Sequence, residues 1–274
     1  MSTRTLKSVA LLVFATTSLP AATSWTVLGW TEFGVNPMER SYSVFALYPP
    51  SVTIHAQVID ATGKLIKTPT GLQVTYEALA DPSGSINSTS VGKTDFFSFS
   101  KLFGGTNTPD TGLTGNPMPG TTPRAMQFES SFNRFTASAV PLTPYDDNWN
   151  TNYYPLFRIV VRDSSGAVVG SSRVAVPVSN EVECRNCHAS GSNDAARPTT
   201  GWVNDPNPNN DFKLNILSIH DIKNRRNPLT AGMLASAGYS ADGLLATAQA
   251  GTSVATSATP PTVWARLASP ALLR

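Results

Sequence analysis

The stretch Leu156-Phe-Arg-Ile-Val-Val-Arg162 leads into the turn sequence Asp163-Ser-Ser-Gly166 and then into a second apolar run, 167–178. Apolar residues such as Phe157 and Val174 recur at every second position, which places their side chains on one face of a β-strand. Asp and Gly between the two runs favour a tight turn. The sequence therefore predicts an antiparallel β-hairpin, and this hairpin is the strongest indication of the fold class.

Other segments upstream of residue 180 repeat this pattern. Residues 52–58 and 72–78 alternate apolar and polar positions, and residues 126–140 read as one or two further strands. Several short strands separated by turns, with little helical periodicity, predict an antiparallel β-sandwich over residues 25–179. His55 falls among the polar positions of its strand, so it is expected to be a solvated surface histidine.

Two segments inside the predicted sandwich are harder to interpret. Residues 81–123 are rich in Gly, Pro, Ser, Thr and Asn, and no role follows from their sequence. The adjacent carboxylates of Asp146 and Asp147 could bind calcium, but their spacing matches no known loop. A solvated polar turn is the favoured interpretation.

The pattern changes near residue 180. Residues 180–250 predict a small helical module, in which Phe212, Ile216, Ile219 and His220 share one helix face. Residues 251–274 are expected to be a disordered tail. The fold class is thus predicted as mainly β, with an N-terminal sandwich followed by a helical module.

The N-terminus has the three parts of an export signal. Arg4 and Lys7 give a positive start, residues 9–15 are apolar, and small residues follow at Ala21 and Ala22. Residues 1–24 are therefore predicted to be a signal peptide, and the mature protein to be periplasmic or extracellular. The apolar run is too short to span a membrane, and no span is expected in the mature chain.

Composition narrows the function classes. The chain of 274 residues is 41% hydrophobic and 14% charged, which supports a packed core. A formal net charge of +2 and the lack of a basic stripe argue against nucleic acid as a partner. The sequence has no nucleophile–base motif, P-loop or dinucleotide fingerprint.

The clearest candidate for a functional site is the segment Glu181-Val-Glu-Cys-Arg-Asn-Cys-His188, which contains both cysteines of the chain. Cys184, Cys187 and His188 form the C-x-x-C-H pattern of c-type haem attachment. Two thiols on one helical turn can bond to the two vinyl groups of a haem, while the next residue supplies an imidazole to the iron. Asn180 and Glu183 predict a capping box at the start of this helix.

Other interpretations of the two cysteines are a disulfide, a redox dithiol or half of a zinc site. A zinc site would need a fourth ligand, and the only other histidines are His55 and His220. A thioredoxin-like dithiol needs a βαβ context, which the sequence around residue 184 does not predict.

A six-coordinate haem needs a second axial ligand. His220 is the first candidate, because it is predicted to lie beside apolar residues on an amphipathic helix. The alternatives are Met233 and an open iron. Two histidines give a low potential suited to electron transfer, methionine raises the potential, and an open site permits peroxidase-like chemistry.

Six segments carry a resemblance to known proteins: Tyr76-Glu-Ala, Gly84-Ser-Ile-Asn87, Gly92-Lys-Thr94, Thr143-Pro-Tyr-Asp-Asp147, Cys184-Arg-Asn-Cys-His-Ala-Ser-Gly191 and Leu214-Asn-Ile-Leu-Ser-Ile-His-Asp221. In these, the chain from residue 42 to residue 251 resembles a group of exported bacterial multihaem c-type cytochromes. The resemblance implies that Asn215 and His220 belong to the haem surroundings. Such proteins continue into further C-x-x-C-H segments, whereas no cysteine follows here, which is typical of a truncated member.

These observations predict an exported c-type cytochrome that carries one covalent haem c and transfers single electrons, without being an enzyme. Its expected partners are redox proteins or an extracellular electron acceptor. The alternatives are a haem enzyme with an open, peroxidase-like iron, and a haem-free β-sandwich binding module whose cysteines form a disulfide.

Overall fold

The structure, a computed structural model, describes residues 25–43 and 48–251. The predicted signal peptide, 1–24, lies outside these residues, as does the predicted tail apart from Gly251. The fold is mainly β, with 27% strand and 20% helix. No helix in the described ranges combines the length and the apolar character needed to cross a membrane.

The strands are β1 Thr26–Thr31, β2 Asn36–Pro37, β3 Ser51–Ile59, β4 Gln73–Leu79, β5 Arg124–Ala125, β6 Gln127–Glu129, β7 Arg134–Pro141, β8 Leu156–Arg162, β9 Val168–Ala175 and β10 Val178–Ser179. The α-helices are α1 Phe96–Phe99, α2 Arg185–His188, α3 Pro208–Asn224, α4 Thr230–Ser236 and α5 Leu244–Gln249. Two 3₁₀ turns cover Ser100–Phe103 and Asp194–Ala196.

Two four-stranded antiparallel sheets enclose the main core. The first sheet has the order β1-β3-β7-β6 and the second the order β5-β4-β8-β9. Apolar residues of both sheets form one buried cluster, including Ile54, Phe135, Tyr76 and Phe157, each at most 3% exposed. The predicted β-rich, antiparallel fold is therefore confirmed, and the arrangement of the sheets is sandwich-like.

The predicted hairpin is strands β8 and β9, which pair antiparallel from Leu156 opposite Ala175 to Arg162 opposite Val168. Its turn forms because the Asp163 carboxylate accepts hydrogen bonds from the backbone N–H groups of Ser165 (2.9 Å) and Ala167 (3.1 Å). Alternate apolar side chains of these two strands, as predicted from the sequence, therefore pack in the core.

His55 differs from the expectation. It lies on the outward face of β3, as the alternation requires, but only 2% of its surface is exposed. The Trp30 ring on the neighbouring strand lies beside it, with 5.5 Å between ring centroids, and its Nδ1 lies 3.0 Å from Thr136 Oγ1. Side chains on the two neighbouring strands bury this histidine. The alternation of residues within one strand does not reveal such neighbours.

The segment 81–123 is held by buried polar groups rather than by long helices or strands. Lys93 is 1% exposed, and its ammonium group donates hydrogen bonds to Asn87 Oδ1 (3.0 Å) and Asp147 Oδ1 (2.9 Å). Ser88 donates its backbone N–H and its hydroxyl group to the same carboxylate. The turn predicted at Asp146 and Asp147 is present. The prediction that it is solvated is wrong for Asp146, because only 2% of this residue is exposed.

A two-residue parallel ladder joins the N-terminal segment to the end of the β region. Strand β2 pairs with β10, placing Asn36 beside Val178 and Pro37 beside Ser179. The backbone N–H of Met38 donates to the Ser179 carbonyl at 2.9 Å and continues the ladder. Residues near position 39 are thereby brought to the start of the helical region.

All regular elements described after Ser179 are helical, in agreement with the change of pattern near residue 180. Helix α3 begins with Pro208 at its first position and is capped by the Asn207 side chain, which accepts from the Asn209 N–H. Its most buried side chains are polar as well as apolar: Asp211, Phe212, Asn215, Leu217 and Ser218.

The predicted face of α3 is therefore only partly right. Phe212 is buried, whereas Ile216, Ile219 and His220 are half-buried. On the buried face, the Asp211 carboxylate accepts from Ser190 and the Asn215 amide donates to the His188 carbonyl, and hydrophobic periodicity does not detect such hydrogen bonds.

Replacement of Asp147 by asparagine tests the polar network. The variant removes the negative charge that is hydrogen-bonded to the buried Lys93 ammonium group, so we expect a loss of about 2–3 kcal/mol in the free energy of unfolding. Urea denaturation followed by circular dichroism measures the change. The exposed Asp242→Asn provides the matched control, and equal midpoints for both variants would contradict a supporting role of the network.

Candidate functional site

The C-x-x-C-H motif occupies a single helical turn. The backbone N–H groups of Cys187 and His188 donate to the Cys184 carbonyl at 3.2 and 2.8 Å. The predicted capping box does not form: Cys184 itself is the N-cap residue, and no side chain caps the helix. The Asn180 carbonyl instead accepts the N–H of Glu183 at 3.0 Å, so a separate turn precedes the helix.

Cys184 is fixed by a buried carboxyl group from the N-terminal segment. Glu39 is 1% exposed, and its Oε1 accepts the backbone N–H of Cys184 at 3.0 Å. The Cys184 thiol donates to Glu39 Oε2 at 3.2 Å. Burial raises the pKa of the Cys184 thiol, as does the Glu39 hydrogen bond. Burial also raises the pKa of Glu39 itself.

Cys187 has different surroundings. Its side chain is exposed, and its nearest polar contact is the Asn193 amide, 3.9 Å from the sulfur. Both cysteines are free thiols in the structure, so the disulfide alternative gains no support from it. One thiol of the motif is thus half-buried, hydrogen-bonded and protonated, and the other is exposed.

His188 is half-buried, and its Nδ1 is buried without a hydrogen-bond partner among the described residues. Burial lowers the pKa of His188, and the nearby positive charge of Lys223 lowers it further. The imidazole is therefore neutral at neutral pH, which is the form that binds metals. A buried ring nitrogen without a partner is costly unless a ligand or a rearrangement satisfies it.

Helix α3 holds the C-terminal end of the motif. Asn215, which is fully buried, donates from its amide to the His188 carbonyl (2.9 Å) and to Ser190 Oγ (3.1 Å). The Asn215 side-chain oxygen accepts the Val203 N–H at 2.9 Å. Asp211 accepts both the N–H and the hydroxyl of Ser190, each at 2.6 Å. The structure thus places Asn215 in contact with the motif.

His220 lies near the other end of α3, and its side chain is 26% exposed. Its Nδ1 is 3.2 Å from Asp221 Oδ1. The Asp221 carboxylate also accepts the N–H groups of Leu244 (3.0 Å) and Leu245 (2.9 Å) at the start of α5. This carboxylate therefore fixes both the first turn of α5 and one edge of the imidazole.

Met233 lies on α4, with 57% of its surface exposed. It is therefore open to solvent, whereas His220 is partly enclosed. Among the described residues, no group of three or more His, Cys, Asp or Glu side chains is placed to hold a metal ion. The zinc interpretation thus gains no support from the arrangement of the side chains.

The motif has the groups that a covalently attached haem would use, namely two free thiols on one helical turn and a neutral imidazole with an unpartnered ring nitrogen. One contact opposes attachment, because the Cys184 thiol donates to Glu39 and would have to give up this hydrogen bond to form a thioether.

Sequence reasoning missed Glu39 and Lys223. Glu39 is 145 residues from Cys184 in the sequence, and the β2–β10 ladder brings its segment to the start of the helical region. Lys223 approaches His188 because α3 packs against α2. Neither residue has a local pattern that would have identified it.

Comparison with known protein families found no matching family model, and comparison with curated proteins found no similar sequence.

The unequal environments of the two thiols predict unequal reactivity in protein produced without haem. Cys187, studied in Cys184→Ala, should react with iodoacetamide at pH 8 at least about tenfold faster than Cys184 does in Cys187→Ala, because thiolate is the reactive form. Mass spectrometry over time measures both rates. Glu39→Gln, combined with Cys187→Ala, should accelerate the alkylation of Cys184; equal rates at the two cysteines would refute the enclosed environment.

Proposed function

We propose that this protein is an exported c-type cytochrome that carries one covalent haem and transfers single electrons. Cys184 and Cys187 attach the porphyrin, and His188 is the proximal ligand. The observation that carries the proposal is the motif itself, with two free thiols and a neutral, incompletely hydrogen-bonded imidazole on one helical turn.

The motif residues have the chemistry that attachment requires. Each thiol forms a C–S bond to one carbon of a vinyl group and gives its proton to the other carbon, so no oxidant is consumed. The bound haem supplies an iron that alternates between the ferric and ferrous states. His188 is available for ligation without first losing a proton, because its pKa lies below the usual range.

His220 is proposed as the distal ligand in preference to Met233. It lies on α3, the helix that contacts the motif through Asn215. The Asp221 carboxylate beside its Nδ1 is the kind of contact that orients an imidazole ligand and increases its basicity. Met233 is exposed, and no comparable contact supports it as a ligand.

Export follows from the predicted signal peptide and agrees with covalent haem attachment outside the cytoplasm, which the resemblance to exported cytochromes implies. The mature protein is then periplasmic or extracellular, and it exchanges electrons with redox proteins or with an extracellular acceptor. No nucleic-acid partner is proposed, because the net charge is +2 and no basic stripe is evident.

Production in a host with c-type haem maturation tests the attachment. The mature chain should contain one haem that remains bound after denaturation and gives the pyridine haemochrome spectrum of two thioether bonds. The double variant Cys184→Ala/Cys187→Ala should lose covalent haem completely, whereas the exposed control Met233→Leu should retain it. Colourless wild-type protein from such a host would end the proposal.

The distal ligand is tested by spectroscopy of the ferrous protein. Wild-type protein with two histidine ligands should be low-spin and should bind carbon monoxide slowly. His220→Ala should become high-spin and bind carbon monoxide at least about tenfold faster, because an axial position is opened. Met233→Leu should not change the spectrum. Rapid binding to the wild type would instead favour the open-iron, peroxidase-like enzyme.

A further inference from the structure

The outward face of the first sheet carries a row of four side chains, one from each strand. Trp30 of β1 pairs with His55 of β3. His55 pairs with Thr136 of β7, and Thr136 pairs with Gln127 of β6. Directly paired residues of antiparallel strands point to the same side of a sheet, so the row crosses the whole face opposite the core.

Hydrogen bonds along this row fix the protonation of His55. Arg134 Nε (2.8 Å) and Thr136 Oγ1 (3.1 Å) both donate to Glu129 Oε2. A hydroxyl group has one proton, so Thr136 Oγ1 accepts from its other neighbour, His55 Nδ1, at 3.0 Å. Burial and the Arg134 charge lower the pKa of His55 and keep the ring neutral. Its Nε2 therefore carries the lone pair of a neutral ring, in a residue of which only 2% is exposed.

Three residues of the row, His55, Thr136 and Gln127, line an open depression of about 450 Å³, whereas Trp30 lies beside His55 outside that lining. Glu32, Thr53, Asn116 and Ser138 extend the lining beyond the row. This volume is in the range of small-molecule sites, and the wall exposes polar and apolar surface in similar amounts. The electron-carrier function proposed above uses none of these residues.

One rim of the depression is built from a strained bulge. The pairing of β3 with β7 shifts register between Val52 and Ile54, and Ala139 on β7 has φ of 51°. A non-glycine residue in this region is uncommon and persists where its surroundings enforce it. β-Bulges are enriched next to functional sites, where they redirect side chains.

The segment 112–116 packs onto this bulge and holds it. Thr114 Oγ1 (2.6 Å) and Asn116 Nδ2 (2.8 Å) both donate to the Ser138 carbonyl. Gly112 approaches so closely that a Cβ atom there would lie 1.8 Å from the Ala139 carbonyl oxygen. Part of the long segment 81–123 therefore forms the wall of the depression.

The lining favours an uncharged, hydroxyl-rich ligand. The carboxylates of Glu32 and Glu129 outnumber the Arg134 guanidinium group, which disfavours anions. Amide and hydroxyl groups of the lining can donate or accept, and the apolar part of the wall can contact C–H groups. Mixed donors and acceptors beside apolar surface match a sugar, which carries both hydroxyl and C–H groups.

We propose that the outward face of the first sheet is a saccharide-binding site, with Gln127 and the Arg134–Glu129 pair as its polar contacts. The hydroxyl and C–H groups of a sugar find complementary surfaces there. The open shape admits an internal stretch of a polysaccharide as well as a chain end. The site gives the β-rich part of the chain a role independent of the haem motif.

Isothermal titration calorimetry of the full mature chain tests the proposal with cello-, xylo-, malto- and chitohexaose. We expect at least one to bind with a dissociation constant of about 1 mM or lower. Gln127→Ala should weaken that binding about fivefold, because an exposed hydrogen-bonding amide is removed. Gln73→Ala, at an exposed position of the second sheet, is the matched control and should leave the affinity unchanged.

The affinity for the oligosaccharide should be the same in the double variant Cys184→Ala/Cys187→Ala as in the wild type. This test therefore remains valid if the haem proposal fails. Melting temperatures of all variants establish that they are folded. Absence of binding by all four oligosaccharides at about 5 mM, or equal losses in the Gln127 and Gln73 variants, would overturn the saccharide site.

Discussion

The contact between the Glu39 carboxyl group and Cys184 connects the β-rich part of the chain to the motif. A carboxyl group that is 1% exposed is tolerated only where hydrogen bonds compensate for lost water, and Cys184 supplies them with its N–H and its thiol. Glu39 is itself positioned by the β2–β10 ladder. A helix of four residues has little stability alone, so α2 depends on this contact and on Asn215 at its other end.

This anchoring has a chemical consequence for the two sulfurs. Cys184 is half-buried against Glu39, whereas Cys187 is exposed, although the sequence presents the two residues as equivalent. If haem is attached as proposed, a thioether at Cys184 would remove the hydrogen that now binds Glu39 Oε2, and only the backbone N–H of this cysteine would remain as a donor to Glu39.

Buried polar groups recur as the means of fixing irregular backbone in this protein. Lys93 and Asp147 hold the segment 81–123, and Asp211 holds the loop after the motif. Such networks have few alternative arrangements, because any displacement leaves a charge or a donor unpaired in a poorly hydrated place. The long segment can therefore contribute a defined wall to the depression beside His55 without forming a strand.

The sequence by itself determined the antiparallel β-rich fold, the hairpin at 156–175, the change to helices after residue 179 and the motif at Cys184, Cys187 and His188. These features depend on period, turn chemistry and residue spacing, which are local properties of the chain. Tertiary structure alone decided that His55 and Asp146 are buried, that α3 buries Asp211 and Asn215, and that Glu39 meets Cys184. Burial and hydrogen bonding depend on which distant segments pack together, and the periodicity of one strand or helix carries no information about the partner that will cover it.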